Sequence, residues 1–165
     1  MITDLVSEGF PAALPPIPAA THRAECDFPF VEIMPGVAVQ VVHADIRAGL
    51  WVTRMRAHPG VTLQRHKHTG EVFAFTLAGS WKYLEYPDIN TPGSYLYEPP
   101  GSVHTLHVPP GNTGITDVWF AIRGANLYLD AQGNVEGVAD ATVALERYRT
   151  ACRNAGFAPP NVITG

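Results

Sequence analysis

Short apolar or alternating runs, each bounded by turn residues, fill the chain between about residues 28 and 130. The runs with strand character are 31–42, 50–57, 71–79, 80–86, 93–100, 103–108 and 115–124. Val, Ile, Thr, Tyr, Phe and Trp dominate these runs, as strands prefer, and Gly, Pro, Asn and Asp stand between them. The pattern predicts a strand-rich domain over residues 28–138.

One helix is predicted near the C-terminus. Asp140 suits the N-cap position, where its carboxylate would accept from free amide groups of the first turn. Apolar positions then recur at helical spacing, at Leu145, Tyr148, Cys152 and Ala155. Gly156 is a natural end. Many short strands followed by one helix predict an all-β sandwich or barrel, with a helix and tail over residues 139–165.

The first 27 residues are rich in Pro and Ala and lack a period, which predicts an irregular N-terminal arm. Asp4, Glu8 and several prolines interrupt this segment, so it does not have the pattern of a secretory signal. We therefore expect a cytoplasmic protein in which Cys26 and Cys152 are free thiols.

The composition narrows the classes of partner. Charged residues make up 16% of the 165 residues, and the net charge is −4 at pH 7. No basic run is present, so nucleic acid is not expected as a partner, and no apolar stretch has the length of a membrane span. With few charged side chains, more of the surface of a single chain is apolar. This favours a homodimer or a higher homo-oligomer, in which part of that surface is buried.

The candidate chemistry begins in the segment "GVTLQRHKHTGEVFAFTLAG", residues 60–79. His66 and His68 stand two apart, so a strand would place both imidazoles on one face. Imidazole nitrogen suits Fe(II), Zn, Ni and Cu. Gln64 shares this face by the same parity, which makes it a candidate donor to a metal-bound oxygen or a side chain that fills space.

A second segment, "GSYLYEPPGSVHTL", covers residues 93–106 and supplies a third histidine. The Pro-Pro-Gly turn at 99–101 would aim the next strand reproducibly, which makes His104 a well-placed third ligand. Glu98, before the turn, and Glu85 are candidates to accept the second N–H of a ligand histidine, or else are surface carboxylates.

Aromatic residues in the predicted strands are candidate walls of a substrate pocket. They are Trp81, Tyr83, Tyr95, Tyr97 and Trp119. The alternative for each is a place in the core or at an interface, where aromatic residues of strands are commonly found.

Together the two segments resemble the two signature motifs of the cupin superfamily. The first motif is matched at Gly60, His66, His68 and Gly79. The second is matched at Gly93, Pro99, Gly101 and His104, with Val108 in place of its closing Asn. The resemblance implies a small double-sheet jelly roll, in agreement with the strand-rich pattern.

The acidic residue of the first motif is out of register. The motif expects a glutamate at position 72, but position 72 is Val72 and Glu71 comes one residue early. On a regular strand this shift sends the carboxylate to the other face, unless a bulge at residues 69–70 restores it. The preferred site is therefore three histidines, with Glu71 as the alternative fourth ligand.

The likeness can be narrowed over residues 28–135. The segments "HKHTGEVFAFTLAGSWKYLEY", "GSYLYEPPGSVHTL" and "TDVWFAIRGANLYLD" resemble the 2,4'-dihydroxyacetophenone dioxygenase family, a cupin branch near the acetylacetone-cleaving dioxygenases. The resemblance implies Fe(II) on His66, His68 and His104. Zn, Ni or Mn are alternative occupants of the same site. It also implies dioxygen as co-substrate and cleavage of the carbon–carbon bond beside the carbonyl of an α-hydroxyketone.

Two other functions fit the same ligands. One is a non-catalytic cupin that senses a metal or a ligand, although a fused DNA-binding or anti-sigma segment would be expected there. The other is a cupin isomerase or hydrolase that uses a different metal.

Overall fold

The structure of the chain is a computed structural model that describes residues 18–165. Most of the arm predicted over residues 1–27 therefore lies outside the described residues. Within the described part, residues 18–24 are irregular, and Glu25–Asp27 form a single 3-10 turn.

A large, mainly antiparallel sheet forms one layer of the fold. Its strands, in spatial order, are β1 (Val31–Met34), β2 (Val37–Asp45), β3 (Leu50–Ala57), β10 (Thr116–Arg123), β5 (Val72–Ala78) and β7 (Tyr95–Glu98). A last short strand, β13 (Ile163–Thr164), pairs in parallel with β2. The C-terminal tail thus contributes to the same sheet as the first strands.

A smaller antiparallel sheet carries the histidines of both motifs. Its strands, in order, are β12 (Val135–Ala139), β11 (Asn126–Leu129), β4 (His66–His68) and β8 (Val103–His104). A two-stranded piece, β6 (Lys82–Tyr83) with β9 (Leu106–His107), completes the strands. The predicted all-β sandwich followed by one helix is confirmed.

The core lies between the sheets and follows the alternation of the long strands. In β3, Trp51, Thr53, Met55 and Ala57 are buried, while the residues between them are only partly covered. Of these, Trp51, Met55 and Ala57 share one apolar cluster with Val72, Val118 and Leu106. Each fully buried aliphatic side chain of this kind stabilises the fold by roughly 1.5–3 kcal/mol.

Helix α1 (Ala141–Asn154) packs across β2 on the edge of the sandwich. Asp140 caps it as predicted, and its carboxylate accepts from the backbone N–H of Val143 at 2.9 Å. The helix ends before Gly156, which has a φ of 78° that a residue with a side chain rarely adopts. Its buried positions are Ala141, Leu145, Tyr148 and Cys152.

An ionic cluster joins the N-terminal segment to the outer face of the large sheet. Arg54 makes a double hydrogen bond to the Asp117 carboxylate at 2.7 Å, and Arg56 donates to the same carboxylate at 2.9 Å. Both arginines also contact Glu25 and lie over the ring of Phe30. These contacts fix the chain entering β1 against β3 and β10.

Both cysteines are free, as predicted, with Cys26 exposed and Cys152 buried. Within residues 18–165, no helix has the length and apolar character needed to cross a membrane.

Candidate metal centre

Three histidines that lie far apart in the sequence converge inside the sandwich. His66 and His68 are on β4, and His104 lies directly opposite His66 on the neighbouring strand β8. Their ring centroids are 4.8 to 4.9 Å apart, and one ligand nitrogen of each lies within 4.8 Å of the others. All three side chains are buried. The two sequence motifs therefore form a single cluster of metal-binding groups.

The Pro-Pro-Gly turn before β8 positions His104 through backbone hydrogen bonds to β4. Gly101 has a φ of 87°, and its N–H donates to the His68 carbonyl at 2.8 Å. The His68 N–H in turn donates to the Ser102 carbonyl at 3.0 Å. Because glycine adopts positive φ without strain, the turn can fold back tightly enough to make both hydrogen bonds.

His66 is oriented and kept neutral by its surroundings. Its Nδ1 donates to the backbone carbonyl of Gln64 at 2.9 Å, which leaves Nε2 free to bind a metal. Burial lowers the pKa of His66 to about 4, against a smaller raising effect of the Gln64 hydrogen bond. The His66 imidazole is therefore neutral at neutral pH, with Nε2 unprotonated, as metal binding requires.

Glu98 brings a buried carboxylate to the cluster. Its Oε2 lies 2.9 Å from Nε2 of His68 and 3.1 Å from Nε2 of His104, and its Oε1 accepts from the Tyr83 hydroxyl at 2.6 Å. Burial alone would raise the pKa of Glu98, but contacts with His104 and His68 outweigh it and lower the pKa to about 2. Burial and the nearby Glu98 charge raise the pKa of Tyr83, so this hydroxyl stays protonated.

Unsatisfied buried atoms show that the site fits a metal ion. His68 Nδ1, His104 Nε2 and Glu98 Oε2 have no well-aligned hydrogen-bond partner among the described residues. Each such buried group costs about 1–3 kcal/mol when it is left unpaired. Three imidazoles beside one carboxylate form a donor set that divalent transition metals bind, so a bound cation would satisfy these atoms.

Glu71 lies apart from this cluster. Its carboxylate pairs with Arg123 at 3.2 Å, and the side chain is 36% exposed. The carboxylate beside the histidines belongs to Glu98, the last residue of β7, which lies in the second motif segment. The register shift noted in the sequence thus leaves Glu71 facing solvent and Arg123.

A cavity of about 990 Å³ leads from the histidines toward helix α1. Its walls are mainly apolar and come from both sheets, including Val39, Met55, Leu63, Phe120 and Ile122. His66, His68 and Tyr83 also line it. An apolar cavity with a few convergent polar groups is the usual form of a small-molecule site.

Comparison with known proteins identifies the family. The ChrR cupin-like domain matches residues 20–117, more than half of the chain. The chain belongs to this ChrR cupin-like family. No functionally curated protein matches this ChrR-like cupin.

Solved structures agree with the family and with the fold. A cupin-like protein of unknown function from Ralstonia eutropha JMP134 is 33% identical, with a TM-score of 0.80 over 88% of this chain and 96% of that one. An RmlC-like cupin of the same organism is 28% identical, with a TM-score of 0.82 over 88% and 95%. An acetylacetone dioxygenase from Acinetobacter johnsonii shares the fold at 12% identity, with a TM-score of 0.69 over 87% and 99%.

Five aromatic residues were predicted to line a substrate pocket. Among them, only Tyr83 lines the cavity. Tyr83 stacks on the His104 ring, with centroids 3.7 Å apart and 13° between the planes. Trp81 is instead fully buried in the core, where its indole N–H donates to the Thr76 hydroxyl at 2.9 Å. The expectation that Trp81 lines the pocket is therefore wrong, because this side chain, directly before β6, is packed into the core against Tyr83 and Phe120.

The other three aromatics lie on the outer face of the large sheet. Tyr95, Tyr97 and Trp119 are 63%, 50% and 38% exposed and do not line the cavity. Their inward neighbours, such as Phe120, take the core positions because side chains alternate along a strand. These three predictions chose the wrong face of β7 and β10.

Neither Gln64 nor Glu85 contacts a ligand histidine through its side chain, and Glu85 fits the alternative of a surface carboxylate. The Gln64 amide donates to the Leu129 carbonyl at 3.1 Å and also contacts Glu136, so it is held at the cavity rim. Its contribution to the centre is the backbone carbonyl that orients His66. Glu85 accepts from the backbone N–H and hydroxyl of Thr105, each at 2.8 Å, and makes no contact with a ligand histidine.

Two cavity residues that face the ligand histidines were not identified from the sequence. Asn126 and Tyr128 on β11 lie directly opposite His68 and His66, and both line the cavity. Their spacing of two residues is the same as that of the histidines they face. That spacing was the available signal, but it was hidden in a strand of only four residues.

Proposed function

We propose that this ChrR-like cupin is a non-haem Fe(II)-dependent dioxygenase that cleaves the carbon–carbon bond beside the carbonyl of an aryl α-hydroxyketone or a related diketone. With 2,4'-dihydroxyacetophenone, one dioxygen would give one 4-hydroxybenzoate and one formate. The observation that carries the proposal is the cluster of three buried histidines and Glu98, two members of which, His66 and His68, line an apolar cavity. The likeness to acetylacetone dioxygenase supports the fold alone.

The residues of the chain would divide the work of the reaction. His66, His68 and His104 would hold the metal through neutral imidazoles, which leave coordination positions for substrate. Bound Fe(II) would supply Lewis acidity toward the substrate carbonyl and the capacity to react with dioxygen. Glu98 would place a negative charge beside two of the ligand rings and the metal, and the Tyr83 hydroxyl would hold the Glu98 carboxylate in position.

The cavity would supply the selectivity for an apolar substrate. Its aliphatic and aromatic walls would bind an aryl group and displace water from the region beside the histidines. The inner end is polar, so the carbonyl of the substrate would be directed to the metal. A small carbonyl substrate, dioxygen and iron are the partners and the cofactor that this proposal requires.

Oxygen consumption tests the proposal directly. Protein loaded with Fe(II) under anaerobic conditions would be mixed with 2,4'-dihydroxyacetophenone, and dioxygen, 4-hydroxybenzoate and formate would be measured together. We expect a 1:1:1 ratio. The zinc-loaded protein and the variant His104→Ala are the controls, and neither should consume dioxygen.

The outcomes separate this proposal from the other functions. An absence of oxygen uptake with every tested ketone, at confirmed iron occupancy, would contradict the dioxygenase proposal. Tight metal binding without turnover would then favour a sensing cupin, and product formation without oxygen uptake would favour an isomerase or a hydrolase. Metal analysis of protein purified without added metal would show which ion it retains.

A further inference from the structure

Asn126 is a residue of the cavity wall whose side-chain oxygen is buried and unpaired. Its side chain is 8% exposed, and its Oδ1 has no hydrogen-bond partner within residues 18–165. A buried acceptor without a donor is costly, and natural proteins retain few of them. Such an atom at the wall of a cavity requires an explanation that packing does not supply.

The strand register fixes where Asn126 points. Asn126 lies directly opposite His68 in the antiparallel pair β11–β4, so both side chains project from the same face. Directly opposed residues have Cβ atoms about 4.5–5.5 Å apart. The register is held by Thr69, whose N–H donates to the Ala125 carbonyl and whose hydroxyl accepts from the Ala125 N–H. The amide is thereby held beside the ligand histidine.

We infer that Asn126 is a substrate-binding residue whose Oδ1 accepts a hydrogen bond from a hydroxyl group carried next to the metal-binding carbonyl of the substrate. This inference rests on the proposed function and deepens it. A carbonyl directed to the metal would place the α-carbon one bond from the carbonyl carbon, so that a hydroxyl on the α-carbon would come within reach of the wall that Asn126 forms. An α-hydroxyl is a donor there, whereas a methyl group or a second carbonyl is not.

The inference therefore selects between the two substrate classes of the proposed function. An α-hydroxyketone would satisfy the Asn126 acceptor. A diketone, or the same ketone without the α-hydroxyl, would leave it unpaired, and sites built for a hydroxyl reject ligands that lack one. The preferred substrate is thus an aryl α-hydroxyketone.

Binding to the zinc-loaded protein tests this without turnover. Calorimetric titration would compare 2,4'-dihydroxyacetophenone with 4'-hydroxyacetophenone, which lacks only the α-hydroxyl. In Asn126→Leu, affinity for the first ligand should fall about tenfold, the loss expected when a buried hydrogen bond is removed. The affinity of the variant for the second ligand should stay within about twofold of the wild-type value. The difference in affinity between the two ligands, which measures the contribution of the α-hydroxyl, should therefore decrease.

Two further variants keep the test decisive. Asn126→Ala removes the acceptor without adding an apolar branch and should show the same selective loss. Leu127→Ala alters the adjacent position of β11, whose side chain projects from the other face, and should leave both affinities unchanged. Zinc affinity and circular dichroism of each variant would establish that the site and the fold persist.

Each outcome has a distinct meaning. Equal affinities of the wild type and both Asn126 variants for the hydroxyketone would overturn the role of Asn126 and leave the dioxygenase proposal standing. Selective loss of binding together with an absence of oxygen uptake by the iron-loaded protein would support Asn126 and overturn the dioxygenase. An absence of binding of either ligand to the wild type would overturn both.

Discussion

At the scale of single residues, Glu98 links the two histidine motifs. Its Oε2 lies within 3.1 Å of imidazole nitrogens of both His68 and His104, and its Oε1 accepts from Tyr83. Because it stays ionised in a buried place, it adds negative charge beside the candidate metal. The sequence left two alternatives open for Glu98, a residue that orients a ligand histidine and an ordinary surface carboxylate. It could not choose between them because the distance between the Glu98 carboxylate and the His68 ring depends on how β7 and β4 are arranged in the fold.

Replacing Glu98 by Gln should weaken metal binding, because the amide keeps the shape but loses the charge. We expect zinc affinity to fall by roughly 10–100-fold, the usual cost of losing a group that supports a metal ligand. Competition with a chromophoric chelator measures this. The control Glu85→Gln changes an exposed carboxylate outside the cluster and should bind zinc as the wild type does; equal affinity of both variants would contradict the role of Glu98.

At the scale of elements, the predicted runs contain most of the strands, both long and short, but not β11 and β12. Strands β3 and β10 and helix α1 were predicted because eight or more residues show a clear alternation or helical spacing. Strands β11 and β12 fall outside the predicted runs, since β11 begins at Asn126 and β12 contains Glu136 and Gly137, residue types that are depleted in strands. The wall that includes Asn126 was missed for this reason.

Helix α1 depends on its N-cap. Asp140→Ala should lower the free energy of unfolding by about 1 kcal/mol, because the first-turn N–H of Val143 loses its acceptor. Denaturant unfolding followed by circular dichroism checks this. Asp140→Asn keeps an acceptor oxygen and should recover most of the loss. If the Ala and Asn variants have the same free energy of unfolding, the cap does not contribute as described.

At the scale of the whole molecule, a cluster of charges secures the N-terminal segment to the sandwich. Burial alone would raise the pKa of Asp117, but its hydrogen bonds and ion pairs with Arg54 and Arg56 outweigh it and lower the pKa. A carboxyl whose pKa is lower in the folded than in the unfolded state stabilises the fold at neutral pH. This contribution is lost as the pH falls through the lowered pKa.

Asp117→Asn should therefore destabilise the protein by about 3 kcal/mol at pH 7, since two arginines lose a largely buried partner. The difference from the wild type should shrink as the pH falls below about 4, where the unfolded carboxyl becomes protonated. Urea unfolding across this pH range measures both effects. Glu25→Gln, at an exposed carboxylate of the same cluster, should cost less; a difference independent of pH would contradict the assignment.

The homodimer expected from the low charged fraction stays a prediction. In the described residues, Tyr95, Tyr97 and Trp119 on the outer face of the large sheet leave apolar surface in water, which is typical of contact surfaces. We expect light scattering to give a mass twice the 17.8 kDa of one chain. A mass of 17.8 kDa across the tested concentrations would show that this surface stays exposed.

The sequence by itself determined the all-β class, the C-terminal helix and the three histidines, because periodicity and local motif spacing are properties of neighbouring residues. Only the tertiary structure decided which carboxylate faces the histidines, which aromatic side chains reach the cavity and where Asn126 lies. Those features depend on strand register and on which face of each strand meets the core. Glu71 and Glu98 are both acidic residues near a motif, and only the pairing of β4, β5, β7 and β8 distinguishes them.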